Sequence, residues 1–342
     1  MVLREYDLPA DKVYPLDNGF KIETRQGPRF LKVAKVNPEA LVLAEAALEW
    51  LINRGFTQVV PIIRSKYRDP FVQVNDQLYY LTGWIKGKAL QLGRKSHLQE
   101  AIFTLAKMHA AAKGFRAPVT TSQEKWGQWP DGLSRRLLDI EISLKIAESR
   151  SHPSEFDLLF RSGALEVIEQ IQNAIVLLIN SPYLEMVEQA QKTGTICHGD
   201  YGGRNLIRTR KAEVYLTNFD NCCLDICMFD LGQLLNRVLP GYGWDLDLAL
   251  SLLNLYETEV PLAPGEAGVL LAILSFPQRF WQIACQYYLK SEEGHLEDYH
   301  RSLEQIYLEL PLQQDFIWQF AQYFNLSSVI FPGFLRTPES VL

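Results

Sequence analysis

The spacing of hydrophobic and polar positions changes period along the chain. Gly19-Phe20-Lys21-Ile22-Glu23-Thr24 alternates, Arg25-Gln26-Gly27-Pro28 is a turn signal, and Arg29-Phe30-Leu31-Lys32-Val33-Ala34 resumes the extended pattern. This predicts a β-hairpin. Asn37-Pro38-Glu39 predicts a helix start, with Asn as cap and Pro at the first helical position. Leu41, Ala44, Leu48 and Leu51 give that helix an apolar stripe, and Gly55 follows its end. Segments 71–74 and 78–81 read as two more strands around an Asn75-Asp76-Gln77 turn. Residues 83–87 read as a connector, after which the period becomes helical. Ser96 and Gln99 form a capping-box signature before a helix carrying Leu98, Ile102, Leu105, Ala106, His109 and Ala110. Further helices are predicted over 133–149, Glu155–Asn180, Leu246–Glu257, 266–289 with a break at Pro277, and 303–324 with an interruption near Pro311. Among them lies one extended stretch, 206–219, turning at Arg210-Lys211-Ala212-Glu213.

The pattern is thus α+β: a small antiparallel sheet with one helix over 1–83, then a large helical region over 84–342 that contains one β-hairpin. A chain of 342 residues exceeds most single cores, which fits two lobes. A net charge of −6 argues against a general nucleic-acid binder, though a local basic cleft could hold a nucleotide. The five cysteines are odd in number and form no paired CxxC framework, so reduced thiols in a cytosol-like compartment are expected. Cys222, Cys223 and Cys227 lie close together without a matching His cluster, which favours apolar packing over a metal site. Residues 1–16 lack the apolar core of a secretory signal. The longest apolar runs, near 174–179 and 267–276, fall short of the ~20 residues that a spanning helix needs, so a soluble protein with no membrane span is expected.

The sharpest chemical signal is Cys197-His198-Gly199-Asp200-Tyr201-Gly202-Gly203-Arg204-Asn205. An Asp and an Asn separated by four residues, with a His two before the Asp, form the catalytic-loop layout of kinases. Phosphoryl transfer needs a carboxylate beside the attacking hydroxyl and an oxygen ligand for the metal on the phosphates. A short loop can hold Asp200 and Asn205 close together for those two tasks. The hairpin after Asn205 ends at Asn218-Phe219-Asp220, where a kinase carries a second metal ligand as Asp; here Asn218 stands at that place, with Asp220 two residues on. Lys32, inside an otherwise apolar strand, suits contact with the α- and β-phosphates. Glu45 and Glu49 lie one turn apart on the following helix, and either could pair with Lys32. His109, among apolar residues, reads as a satisfied core residue rather than a ligand.

These residues resemble the aminoglycoside and choline phosphotransferases. His198-Gly199-Asp200 to Asn205 is similar to their loop, and Asp225 with Phe229-Asp230-Leu231 is similar to their later acidic run. Within that superfamily the chain more closely resembles the CotS family of spore-coat kinase-like proteins. Pro38-Glu39, the run Tyr79-Tyr80-Leu81-Thr82-Gly83-Trp84-Ile85-Lys86-Gly87, Leu105-Ala106-Lys107-Met108-His109, and Ser275-Phe276-Pro277-Gln278-Arg279-Phe280-Trp281 with Tyr287-Tyr288 carry that likeness. The resemblance implies a protein-kinase-like two-lobed fold that uses Mg2+ and ATP. Asp200 would be the catalytic base, Lys32 the phosphate-contacting lysine, and Asn205 a metal ligand, with Asn218 and Asp220 as further metal candidates. His198 and Asp230 would brace the loop, and adenine would stack near residues 81–84, against Trp84. Asn218 departs from the family pattern and removes a negative charge where a divalent ion would sit between phosphates.

Three functions follow as expectations. The first is ATP-dependent transfer to a hydroxyl of a small molecule or coat component. The second is a non-catalytic pseudokinase with a structural role among other spore-coat proteins, and the third an aminoglycoside-type small-molecule kinase. The expected location is the mother-cell cytoplasm or the spore coat.

Overall fold

The computed structural model describes residues 2–119, 121–263, 265–290 and 296–326. By Cα proximity the chain forms two compact units. One comprises residues 1–126, 187–231 and 254–261, and the other 127–186, 232–253 and 262–342.

The first unit holds both sheets. Its larger sheet contains β1 (Lys12–Leu16), β2 (Gly19–Glu23), β3 (Arg29–Ala34), β4 (Ile62–Ile63), β5 (Val72–Val74) and β6 (Gln77–Gly83). The order is β1-β2-β3-β6-β4, with β5 also on β6. The expected β2–β3 hairpin is present, and its register sets Gly19 opposite Lys32. Gly19 is required there, because a Cβ would come within 2.3 Å of the Leu31 carbonyl oxygen. The β5–β6 turn places Asn75 and Asp76 at φ 48 and φ 62, the positive values that a two-residue hairpin turn demands. Strand β1 escaped the sequence reading; it is an exposed edge strand interrupted by Pro15, the position in a sheet where proline is tolerated.

Helix α1 (Pro38–Asn53) starts as expected, with the Asn37 side chain accepting from the Ala40 N–H at 3.0 Å. Helix α2 (Lys95–Ala112) corrects the capping-box reading. Arg94 is its N-cap and makes no side-chain cap bond, and Ser96 lies inside the helix. The connector reading over 83–87 ends where an unpredicted strand begins, β7 (Gly87–Ala89), which pairs with β8 (Leu206–Thr209), itself paired with β9 (Val214–Leu216), in the second sheet.

The second unit is helical. Helices α3 (Trp129–Ser149) and α4 (Glu155–Asn180) pack with α8 (Glu266–Ser275), α9 (Gln278–Ala284) and α10 (Leu296–Tyr323). Between them in sequence come α5 (Tyr183–Thr193), α6 (Met228–Val238) and α7 (Leu246–Glu257). Phe156, Phe160, Ala164, Val167, Ile171 and Ala174 line one face of α4 and pack on Phe276, Phe280 and Ile306. Each large side chain so buried contributes about 1.5–3 kcal/mol. Helix α4 is long and apolar enough to cross a membrane by composition, but its buried positions form the stripe of a core helix. The break at Pro277 separates α8 from α9 as expected, whereas α10 begins earlier than predicted and continues through Pro311.

The start of α4 is tied to α3 and to the segment after α9 by one buried carboxylate. Asp157 accepts from the Ser154 N–H at 2.7 Å and hydroxyl at 2.8 Å, from Arg150 at 2.9 Å, and from the Tyr288 hydroxyl at 2.8 Å. Asp157→Ala removes the capping box and leaves the Tyr288 hydroxyl buried without its acceptor. The expected loss is about 2–4 kcal/mol, from a cap and a stranded polar group, read as a lower denaturation midpoint. A change below ~0.5 kcal/mol, the range of ordinary surface substitutions, would show that the network is not what holds this helix start.

Candidate functional site

The candidate site lies within the first unit. It is built from β3, from α2, from the 197–205 loop with its hairpin, and from the start of α6. The loop turns sharply at Gly199, whose φ is +80; a Cβ there would lie 1.9 Å from the Asn221 carbonyl oxygen, so a side chain is excluded. The Asp230 carboxylate receives the His198 N–H at 2.6 Å and the Gly199 N–H at 3.0 Å. Its Oδ2 also lies 3.3 Å from His109 Nε2, and His109 Nδ1 lies 2.7 Å from the Tyr256 hydroxyl. His198 completes the brace. Its Nε2 is 2.8 Å from the Thr217 carbonyl oxygen, and its Nδ1 accepts the Asp200 N–H at 3.2 Å. Those partners fit a neutral imidazole, and burial lowers the His198 pKa. His109 and Tyr256, absent from the sequence-derived set of site residues, therefore support the loop through Asp230.

Asp200 and Asn205 come together as their spacing suggests. The Asn205 side-chain amide donates to the Asp200 carbonyl at 2.7 Å and to its carboxylate at 3.0 Å. Arg204 donates to the same carboxylate at 2.7 Å. Burial alone would raise the Asp200 pKa, but the hydrogen bonds from Arg204 and Asn205 outweigh it, and the pKa is lowered. Asp200 is thus a carboxylate near neutral pH, with 22% of its side chain exposed. Arg204, exposed at the loop's tip, is a contact that motif reading overlooked.

Asn218 adopts a left-handed conformation, φ 64 and ψ 56, which Asn tolerates better than most residues. Its amide nitrogen donates to Asn205 Oδ1 at 2.7 Å. Two residues on, Asp220 takes Lys32. The ammonium donates to both carboxylate oxygens, at 2.7 and 2.9 Å. The pair is buried, with side-chain exposures of 10% and 5%. Tyr80, opposite Lys32 in the β3–β6 register, places its ring centroid 5.8 Å from the ammonium.

The pairing expected between Lys32 and Glu45 or Glu49 is not formed. Arg64, just past β4, takes both glutamates instead, Nε to Glu45 at 2.6 Å and Nη2 to Glu49 at 3.1 Å. A forked guanidinium can hold two carboxylates one helical turn apart, which a single ammonium does less well. Trp84 packs edge-on to Phe30, with centroids 6.2 Å apart, and lies 5.3 Å from the Lys21 ammonium. Cys222 and Cys223 are buried, as small apolar packing residues are.

This arrangement of sheet, braced loop and hairpin defines an α+β, two-lobed kinase-like phosphotransferase fold. Residues 1–320 match the family described as "Spore coat putative kinase YutH", and the chain belongs to that family. It is 26% identical over 280 residues to spore coat protein S of Bacillus subtilis (strain 168), covering 80% of this chain and 78% of that one. Among solved structures, an aminoglycoside phosphotransferase from Alicyclobacillus acidocaldarius superposes with a TM-score of 0.82 at 22% identity, over 95% of this chain and 96% of the other. A spectinomycin phosphotransferase in complex with ADP and spectinomycin superposes with a TM-score of 0.58 at 11% identity, over 93% and 95%. At such identities the structural likeness establishes the fold alone.

Burial opposes a charge on His109, but neighbouring Cys227 and Asp230 outweigh it and raise its pKa to about 10. The unfolded value is about 6.5, so this group's stabilising contribution is complete below that pH and disappears as pH rises through about 10. The melting temperature of the wild type should fall more steeply toward alkaline pH than that of His109→Gln; parallel curves would rule out a charged His109. For Asn218→Asp, the amide donor to Asn205 is lost and two acceptors face each other. In a metal-free buffer this should cost about 1–3 kcal/mol. Magnesium should restore the loss and tighten nucleotide binding, and a magnesium titration showing no difference from wild type would refute the role given to Asn218.

Proposed function

We propose that the protein is a spore-coat-associated, ATP-dependent kinase-like phosphotransferase, with residues 1–83 as the nucleotide lobe and residues 84–342 as the catalytic and substrate lobe. The observation that carries this reading is the Asp200 carboxylate: ionised, partly exposed, oriented by Asn205, and mounted on a loop that Asp230 anchors. In the reaction, an acceptor hydroxyl donates its proton to Asp200 while its oxygen attacks the terminal phosphorus. The bond from that phosphorus to the leaving diphosphate breaks. A positioned base of this kind contributes about 10²–10⁴-fold.

The donor set suits a hard divalent cation in type, since Asn205, Asn218 and Asp220 all offer oxygens. Of these, Asp220 alone carries charge, and Lys32 holds both of its oxygens. Magnesium, when bound, would neutralise phosphate charge. The nucleotide assignment draws support from the fold shared with a phosphotransferase that holds ADP. Adenine would lie near residues 81–84, beside Trp84. The acceptor is a hydroxyl-bearing small molecule or coat component, and other coat proteins are expected partners.

A second reading, a coat component that keeps the fold without turnover, is favoured by the Asn218–Asn205 hydrogen bond, which occupies an oxygen that a metal would need. Thermal shift separates the two. Magnesium-ATP at about 100 times its dissociation constant adds roughly 2.7 kcal/mol. Asp200→Ala should keep that shift and lose all transfer. Turnover by Asp200→Ala at the wild-type rate would remove Asp200 from the role of base. No shift at millimolar ATP, with or without magnesium, would leave the structural reading, for which co-purification with spores is the companion measurement.

A further inference from the structure

We infer that the second unit carries a binding site for the carboxylate of a small molecule, built on Arg136 with Phe276, Gln278 and Trp281. The inference goes beyond the phosphotransfer reading and does not rest on it.

Arg136 stands one turn before the buried Ile140 on α3. Its guanidinium carbon lies 5.3 Å from the Phe276 ring centroid and 4.6 Å from that of Trp281, so two rings hold it by cation–π attraction. Nη1 donates to the Gln278 amide oxygen at 2.9 Å. A guanidinium has five N–H donors, and among the described residues no carboxylate forms an ion pair with this one. Asp139, one turn on, is engaged elsewhere: its Oδ2 accepts the Trp281 indole N–H at 2.9 Å and lies 3.8 Å from Cys285 Sγ. Asp139 thus fixes the ring on which Arg136 rests and does not hydrogen-bond the guanidinium. Burial lowers the Arg136 pKa, and Cys285 and Asp139 offset only part of that effect. A guanidinium stays protonated all the same. A charge so desolvated and so little paired is a cost that a bound anion would remove.

The chain leaves room for such an anion. A helical side chain leans toward the N-terminus of its helix, so Arg136 reaches back over the turn that holds Gly132. A Cβ at Gly132 would meet nothing within 4 Å. Arg136, Gln278 and Trp281 are half-buried, whereas Phe276 is buried. Helix α9 runs directly into a π-helical turn, Cys285–Leu289, a distortion frequent at functional sites.

The same groups select the ligand. The rings limit rotation of the guanidinium, and its unused N–H groups suit the two oxygens of a planar carboxylate. One positive charge with Asp139 close by favours a monoanion over a dianionic phosphate, because each further negative charge is repelled by that carboxylate. Trp281 offers apolar surface to the body that carries the carboxylate.

The test uses the full chain labelled with 5-fluorotryptophan and read by 19F NMR. Of the seven tryptophans, the Trp281 resonance is assigned by its loss in Trp281→Phe. The probes are benzoate, its neutral isostere benzamide, and phenyl phosphate, each titrated at fixed ionic strength. Benzoate should shift the Trp281 resonance saturably, and benzamide should bind at least about tenfold more weakly. Phenyl phosphate should bind more weakly than benzoate. Arg136→Gln should abolish the benzoate shift, and Arg136→Lys, which keeps the charge without the fork, should weaken it about tenfold. Arg135→Gln, at the exposed neighbouring arginine, should leave it unchanged. Equal binding of benzoate and benzamide, or no shift with benzoate, overturns the inference, and these arms need no variant to fold. A benzoate shift that persists in a folded Arg136→Gln chain also overturns it. Tighter binding of phenyl phosphate than of benzoate rejects the carboxylate assignment.

Discussion

The carboxylate of Asp230 is the interaction on which the site depends. It is buried, and it accepts two successive backbone N–H groups at the point where the chain turns into the loop. Backbone donors of a tight turn have no partner in a strand or helix, so without this carboxylate they would be buried unsatisfied. Burial raises the cost of its charge, while His109 and the loop N–H groups offset that cost and lower its pKa. Because Asp230 leads into α6 and His109 belongs to α2, the loop inherits the rigidity of two helices. Asp200 and Asn205 are then oriented by a short chain of bonds that starts from a fixed point.

The loop was legible in the sequence because its information is local. His198, Asp200 and Asn205 lie within eight residues, and Gly199 at positive φ marks where a Cβ cannot fit. The β2–β3 hairpin, the capped start of α1 and the break at Pro277 were readable for the same reason. What the sequence hid is long-range pairing. Lys32 and Asp220 are 188 positions apart, and nothing in spacing prefers Asp220 over Glu45 or Glu49. Helix periodicity brings Glu45 and Glu49 to one face, but whether that face meets Lys32 or Arg64 is decided by where β4 delivers Arg64. The unpredicted edge strand β1 and the cap of α2 have weak local signals, one because proline suggests a loop and the other because Ser96 lies two residues past the true cap.

The substitution at 218 and the pairing at 220 belong together. A carboxylate at 218 would face Asn205 Oδ1, acceptor against acceptor, and would need a cation between them. The amide of Asn218 turns a donor to that oxygen, so this half of the site is satisfied by its own hydrogen bond. Lys32 does the same for Asp220. Asn205 Oδ1 and both oxygens of Asp220 are therefore covered by nitrogen donors from the chain itself.

Such self-sufficiency separates the stability of the site from its occupancy. A metal site whose ligands repel one another couples folding to metal binding, whereas here the chain's own groups match the Asp220 charge and pair Asn218 with Asn205. The chain's own groups can then keep the loop ordered without any added ligand. The same matching sets a cost for any ligand at these oxygens, which must replace a buried ion pair and an amide–amide hydrogen bond. Asp200 stands outside that exchange, held by Arg204 and Asn205 through hydrogen bonds of its own. Its orientation is therefore independent of the charges around Asp220, the division of labour that the proposed transfer to a hydroxyl calls for.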